Sequence, residues 1–180
     1  MKTLLSLAFV LMLGATAGSA QWNGSIGIIA DTGSWSPCLS ANPGQLYVYF
    51  FHFNAIGATA SQWAAPPPAC FTGVHLSDAP VFAVNLGNTE TGITIGYMTC
   101  KTGSFHVMTA VYQLTSVGTC CHWSVVADPN LPSGKIEIPD CDFNLTYGTA
   151  GQGIFGTNPT CCWDPVEDTT WGGVKALYVE

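Results

Sequence analysis

Eight cysteines, all downstream of residue 37, constrain the fold of this chain more than any other feature. Four stand as two adjacent couples: Cys120 beside Cys121 in "TCCHWSVVADPN", and Cys161 beside Cys162 in "TCCWDPVEDTTW". Cys38, Cys70, Cys100 and Cys141 stand alone. Consecutive Cα atoms lie ~3.8 Å apart, short of the ~4.4–6.8 Å that a disulfide spans. Adjacent cysteines therefore do not bridge each other, which removes about a quarter of the conceivable pairings. Each couple instead ties two separate segments to one point. A structural zinc site would need C-x-x-C or similar spacing, and the chain has none. Cys120, Cys121 and His122 in direct succession cannot converge on one tetrahedral ion. The cysteines read as a covalent framework, with no metal and no cofactor implied.

Such a framework belongs outside the reducing cytosol, and the N-terminus agrees. "MKTLLSLAFVLMLGATAGSA" has Lys2, an apolar run from Leu4 to Leu13, and Gly18 and Ala20 before a cut at Gln21. This is the layout of an export signal, so residues 1–20 are expected to be removed. A membrane span needs ~20 apolar residues, and no later run reaches that length. The chain is expected at the cell surface, in the periplasm or in the medium. One domain, residues 21–165, should follow, then a tail (166–180) packed on it or used for attachment. In that tail Trp171, Val174, Leu177 and Tyr178 make one apolar stripe of a short helix.

Charge excludes several partners. The chain has no arginine, and its lysines are Lys2, Lys101, Lys135 and Lys175, against eleven carboxylates. Nucleic acid is bound through cationic contacts to phosphate, so a nucleic-acid partner is excluded, and anionic membrane surfaces are disfavoured.

Strand patterns dominate the rest. "LYVYFFHF" (46–53), "TGITIGYM" (91–98) and "FHVMTAVYQL" (105–114) are β-branched or aromatic, and turn formers bound them. The turn "TCKTGS" separates the last two. "SIGIIAD", "CHWSVV", "GKIEIPDC" and "GQGIFG" add shorter strands, and "AAPPPAC" (64–70) reads as a rigid connector. Seven or so short strands punctuated by Gly and Pro predict an all-β sandwich. If "ADPNLPSG" turns symmetrically about Leu131, Cys121 faces Cys141 across a hairpin, within disulfide reach. The expected bridge is Cys121–Cys141.

Chemistry is sparse. "DCDFN" places Asp140, Asp142 and Asn144 like the first ligands of a calcium loop, but Leu145 and Gly151 occupy the positions that demand Gly and Glu. The trio is a weak calcium candidate. His52, His106 and His122 fall in strands and His75 in a loop, and no hydrolase, zincin or phosphate-loop motif is present. Trp35, Trp63, Trp123 and Trp163 adjoin loops and are the ligand-binding candidates, since exposed indoles stack on sugar rings. Asn23 and Asn144 lie in N-x-S/T contexts that a eukaryotic secretory pathway would glycosylate.

"GSIGIIAD", "ATASQWAAP", "SGKIEIPDCDFN" and "TTWGGVKALY" carry a further signal. Their run resembles uncharacterised secreted bacterial Cys-rich β-sandwich proteins with a G-S-I-G-I-x-A-D start and an A-T-A-S-Q-(F/W)-x-A-P segment. The strand order is similar to cohesin-type and immunoglobulin-like sandwiches. The resemblance implies surface display and no enzymatic activity. The expected function is a secreted, non-catalytic module contacting an extracellular protein or glycan. A tryptophan-based carbohydrate-binding module comes second and a small secreted hydrolase third. Self-association through edge strands is a further expectation.

Overall fold

The computed structural model describes residues 21–33 and 35–157. Ten strands follow in chain order: β1 (Trp22–Ile29), β2 (Cys38–Ser40), β3 (Gly44–Trp63), β4 (Phe71–Pro80), β5 (Val84–Asn88), β6 (Gly92–Val117), β7 (Cys121–Ser124), β8 (Ile136–Pro139), β9 (Leu145–Ala150) and β10 (Gln152–Gly156). No helix occurs among the described residues. The expected export signal, the tail, Cys161, Cys162 and Trp163 lie outside them.

Two long strands build the sandwich by bending. The first half of β3 pairs with β1 and with the second half of β6; its second half pairs with the first half of β6 and meets β8 at Gln62↔Glu137. Register shifts cluster between His52 and Ala60, where extra residues bend the ladder. Asn54 (φ 53°) and Gly103 (φ 77°) supply left-handed backbone nearby. The bend is measurable inside one strand. Phe50 and Trp63 of β3 would lie roughly 40 Å apart along straight β-geometry, yet their ring centroids are 4.8 Å apart.

One layer is therefore β4–β6–β3–β1, and the other is β5–β6–β3–β8–β9, with β9 and β1 pairing in parallel to join them. A small sheet, β2–β10–β7, closes one end and adds Trp123 and Phe155 to the core. Between the layers lie Ile26, Ile28, Val48, Phe50, Ile93, Ile95, Val107 and Leu114, all nearly inaccessible. Most alternate along their strands, as a half-buried strand requires. The all-β sandwich expected from the strand patterns is the fold observed. The "TCKTGS" turn between two strands is instead the bend within the single strand β6.

All six described cysteines are disulfide-bonded. Cys70 pairs with Cys121 (Cα–Cα 5.6 Å) and Cys100 with Cys141 (Cα–Cα 5.3 Å). The expected Cys121–Cys141 bridge is therefore corrected. Its premise was a hairpin between β7 and β8, but β7 pairs with β10 and β8 with β9. The loop between them is pulled elsewhere. The Asp128 carboxylate accepts from Gln62 Nε2 (2.8 Å), Asn130 N–H (2.8 Å) and Asn130 Nδ2 (2.9 Å), and Val126 bridges Ala64. Loop polar chemistry, not symmetric turning, routes this segment.

Candidate functional site

The open face of the β5–β6–β3–β8 layer is where the sequence departs from a plain sandwich. Ile93, Ile95 and Tyr97 of β6 point inward, so Thr94, Gly96 and Met98 point outward. Their neighbours on that face are fixed by register. Gly96 lies between Ala60 of β3 and Val84 of β5, and Thr94 lies between Gln62 and Leu86. Two of the smallest side chains thus sit side by side mid-sheet, and a hollow of ≈ 470 Å3 opens over them. Pro139, Thr59, Met98, Phe143 and the Cys100–Cys141 disulfide complete its wall.

The rim is apolar and outward. Met98 is 72% exposed and Phe143 82% exposed; Leu86, opposite Thr94 and 72% exposed, extends the same face beyond the hollow. Met98 (φ 65°) and Phe143 (φ 62°) both hold left-handed backbone, which costs a residue with a Cβ roughly 1–2 kcal/mol. The turn that presents Phe143 is built by Asp140. Its Oδ1 accepts from Asp142 N–H (2.9 Å) and Asn144 N–H (2.8 Å), and its Oδ2 accepts from Asn144 Nδ2 (3.1 Å). Desolvation pushes the Asp140 carboxyl up, but these donors outweigh it and hold it below the ordinary carboxylate range. Two of the three calcium candidates, Asp140 and Asn144, are thus engaged with each other in a turn that aims a phenyl ring at solvent. Asp142 is exposed beside them.

A second hollow of ≈ 320 Å3 adjoins the same disulfide, lined by Gln21, Asn23, Ile56, Asp140, Asp142 and Thr146 among others. Its floor is a buried polar knot. Asn23 Nδ2 donates to Gly57 O (2.6 Å) and Thr146 Oγ1 (3.1 Å), while its Oδ1 accepts from Ile56 N–H (2.9 Å) and Gly57 N–H (3.3 Å). Thr146 Oγ1 in turn donates to Ile138 O. Asn23 is 2% exposed, so the folded protein cannot carry a glycan there. Asn144 lies at the surface.

The histidines divide by burial. His52 is fully buried between Asn23 and Tyr97. The Asn23 carbonyl can only accept, so His52 Nε2 donates to it (2.8 Å), and Nδ1 accepts from the Tyr97 hydroxyl (3.1 Å). Burial pushes its pKa down, partly offset by the Asn23 bond. His106 is likewise lowered by burial, against a bond to Met108 O. His75 is in strand β4, not a loop, and its Nε2 lies 2.9 Å from Asp78 Oδ1. Both Asp78 oxygens also accept from Thr89, through its N–H and its hydroxyl. Neither His75 nor Asp78 lines either hollow described above.

The tryptophan candidates separate sharply. Trp63 and Trp123 are wholly buried, with Nε1 donating to Ser61 Oγ and Ala65 O respectively (3.1 Å each). Neither can touch a ligand, which corrects the expectation for both. Each lies near a loop in sequence, yet the bends of β3 and the closing sheet carry its ring into the core. Trp35 is 58% exposed. The residues that sequence reasoning missed are Met98, Phe143, Ala60 and Gly96. Strand alternation in "ITIGYM" places Met98 opposite the core; the partnership of Ala60 with Gly96 depends on register across a bend.

No protein-family model and no curated protein sequence matches the chain. Solved structures do match. A non-cellulosomal cohesin from the archaeon Archaeoglobus fulgidus aligns at 14% identity over 73% of this chain and 90% of its own, with a TM-score of 0.50. A cohesin module from a Clostridium perfringens family 33 glycoside hydrolase aligns at 3% identity over 74% and 97%, with a TM-score of 0.52. At such identities the likeness concerns backbone alone: this chain has a cohesin-like β-sandwich fold.

Proposed function

We propose that this protein is a secreted or surface-displayed, non-catalytic module that holds a partner protein on its β5–β6–β3–β8 face. One observation carries the reading: a hollow of ≈ 470 Å3, floored by Ala60 and Gly96, whose exposed apolar rim includes two residues in left-handed backbone. Exposed contiguous apolar surface marks interaction sites, and strain of this kind concentrates where a surface has work beyond folding. Disulfides at every described cysteine support an oxidising compartment, with export through residues 1–20 and a domain starting at Gln21. The fold has precedent as a module within a larger enzyme, since one similar structure is described as a cohesin module from a glycoside hydrolase.

The hydrolase reading needs a histidine beside a carboxylate, and His75 with Asp78 in β4 is such a pair. Their carboxylate is committed to Thr89, and binding is the better-supported function. The test fills the hollow. Disulfide-intact protein and its Ala60→Arg variant are used as bait in source-culture supernatant. Wild type should retain a partner that Ala60→Arg loses, with little dependence on salt because the face carries few charges. Equal capture by both, or hydrolytic turnover abolished by His75→Ala with the fold intact, would overturn the proposal.

A further inference from the structure

A different hollow lies on the other layer, away from the apolar face. The first half of β3 alternates Leu46, Val48 and Phe50 into the core with Tyr47 and Tyr49 facing out. The two tyrosine rings run nearly parallel, 17° apart in plane with centroids 6.5 Å apart. Opposite them the chain after β1 folds back through the Asp31–Ser36 bridge. Between lies a hollow of ≈ 210 Å3 walled by Tyr47, Tyr49, Gln45, Thr32, Asp31 and Leu39. The aromatic row continues along the strand. Tyr49 packs on His106 (5.9 Å), Phe51 stacks on the same imidazole (5.0 Å), and Trp35 and Phe51 meet edge to face (5.1 Å).

Trp35 is a second, independent observation. It holds left-handed backbone (φ 54°) while 58% exposed. A bulky residue in that region is a genuine outlier; its ring packs on Phe51, at the end of the aromatic row that starts at the hollow, without lining the hollow itself.

We infer that this hollow is a subsite for a neutral glycan, with Tyr47 and Tyr49 packing against a pyranose ring. Apolar C–H surface of a sugar packs on aromatic rings that lose little entropy on binding. Its hydroxyls need donors and acceptors together. Gln45 offers both through one amide, and the Thr32 and tyrosine hydroxyls do likewise. Asp31 adds a carboxylate, of which Oδ1 already receives the Gly33 N–H (2.8 Å). Charge decides against an anionic ligand. Neither described lysine lines the hollow: Lys101 sits over Phe82 (5.7 Å) and Lys135 over Tyr147 (4.5 Å).

The site is distinct from the partner-binding face, and each proposal can fail alone. The experiment is a titration of disulfide-intact protein with cellohexaose, xylohexaose, laminarihexaose, mannohexaose and chitohexaose, followed by heteronuclear NMR and tryptophan fluorescence at low and high salt. At least one sugar should bind saturably, shift the Trp35 indole and the amides of 45–49, and be insensitive to salt. Tyr47→Ala with Tyr49→Ala should weaken it roughly tenfold or more, whereas Tyr47→Phe keeps the ring and most of the affinity. Ala60→Arg should bind sugar like wild type. Saturable binding that survives loss of both rings would overturn the inference. So would failure of every sugar, or capture of choline with a strong salt dependence in their place.

Discussion

The two halves of β3 both feed one core and yet present different surfaces. Residues 46, 48 and 50 turn aliphatic and phenyl side chains inward, with Tyr47 and Tyr49 outward. Beyond the bend, Ala60 and Gln62 face out while Ser61 and Trp63 face in. The one ring of the second half is therefore spent inside, and a small side chain, Ala60, lies on the open face. In the first half large rings lie on both sides. The inward row sets the fold, and the outward row, free of that demand, sets whether a layer offers a hollow or an aromatic platform.

That contrast makes its largest prediction within the one strand. Trp63→Ala empties a fully buried site and should cost about 3–5 kcal/mol of stability, whereas Tyr47→Ala, at a 44% exposed site, should cost less than about 1 kcal/mol. Chemical denaturation of both variants checks this, and similar losses would dissolve the distinction between the rows.

The bend that separates the halves should be the acid-sensitive point. His52 sits there, neutral, with its folded pKa pushed below 6.5 by burial. The unfolded state then takes up the proton first, so this contribution to stability is whole above pH 6.5 and declines as pH falls below it. His106, lowered in the same direction and only partly buried, adds a smaller slope. Between neutrality and about pH 5 the His52 contribution reaches at most ~2 kcal/mol. Stability measured against pH in wild type and in His52→Gln should show the slope shrink in the variant. An unchanged slope would place the acid response elsewhere.

The smallest expected effect on stability is the most pointed about function. Phe143→Gly removes a Cβ from left-handed backbone and should raise stability by ~0.5–1 kcal/mol or leave it unchanged. It also strips the most exposed wall of the apolar hollow. Thermal unfolding that holds steady while partner retention falls would mark Phe143 as a surface element. A marked loss of stability would return it to the fold.

The residues themselves determined the fold class and the covalent character of the protein. Period-two alternation in "LYVYFFHF" and "ITIGYM" obliges strands with one buried face, and even-numbered cysteines outside a metal spacing oblige disulfides. Local pattern could not reveal β4, because its register slips at Thr72/Gly73 and His75/Ser77 scramble the alternation. Nor could it tell Trp63 and Trp123 from Trp35, since exposure of an indole depends on where a bend sends it. The bridge partners of Cys121 and Cys141 escaped for the same reason: they follow from β7 and β8 joining different neighbours, with Asp128 drawing the intervening loop onto β3. The apolar hollow and the tyrosine-walled hollow belong to this second category. A strand's sequence says which residues share a face, but which small residue meets which across two bent strands is set by long-range pairing, and only the tertiary structure decides it.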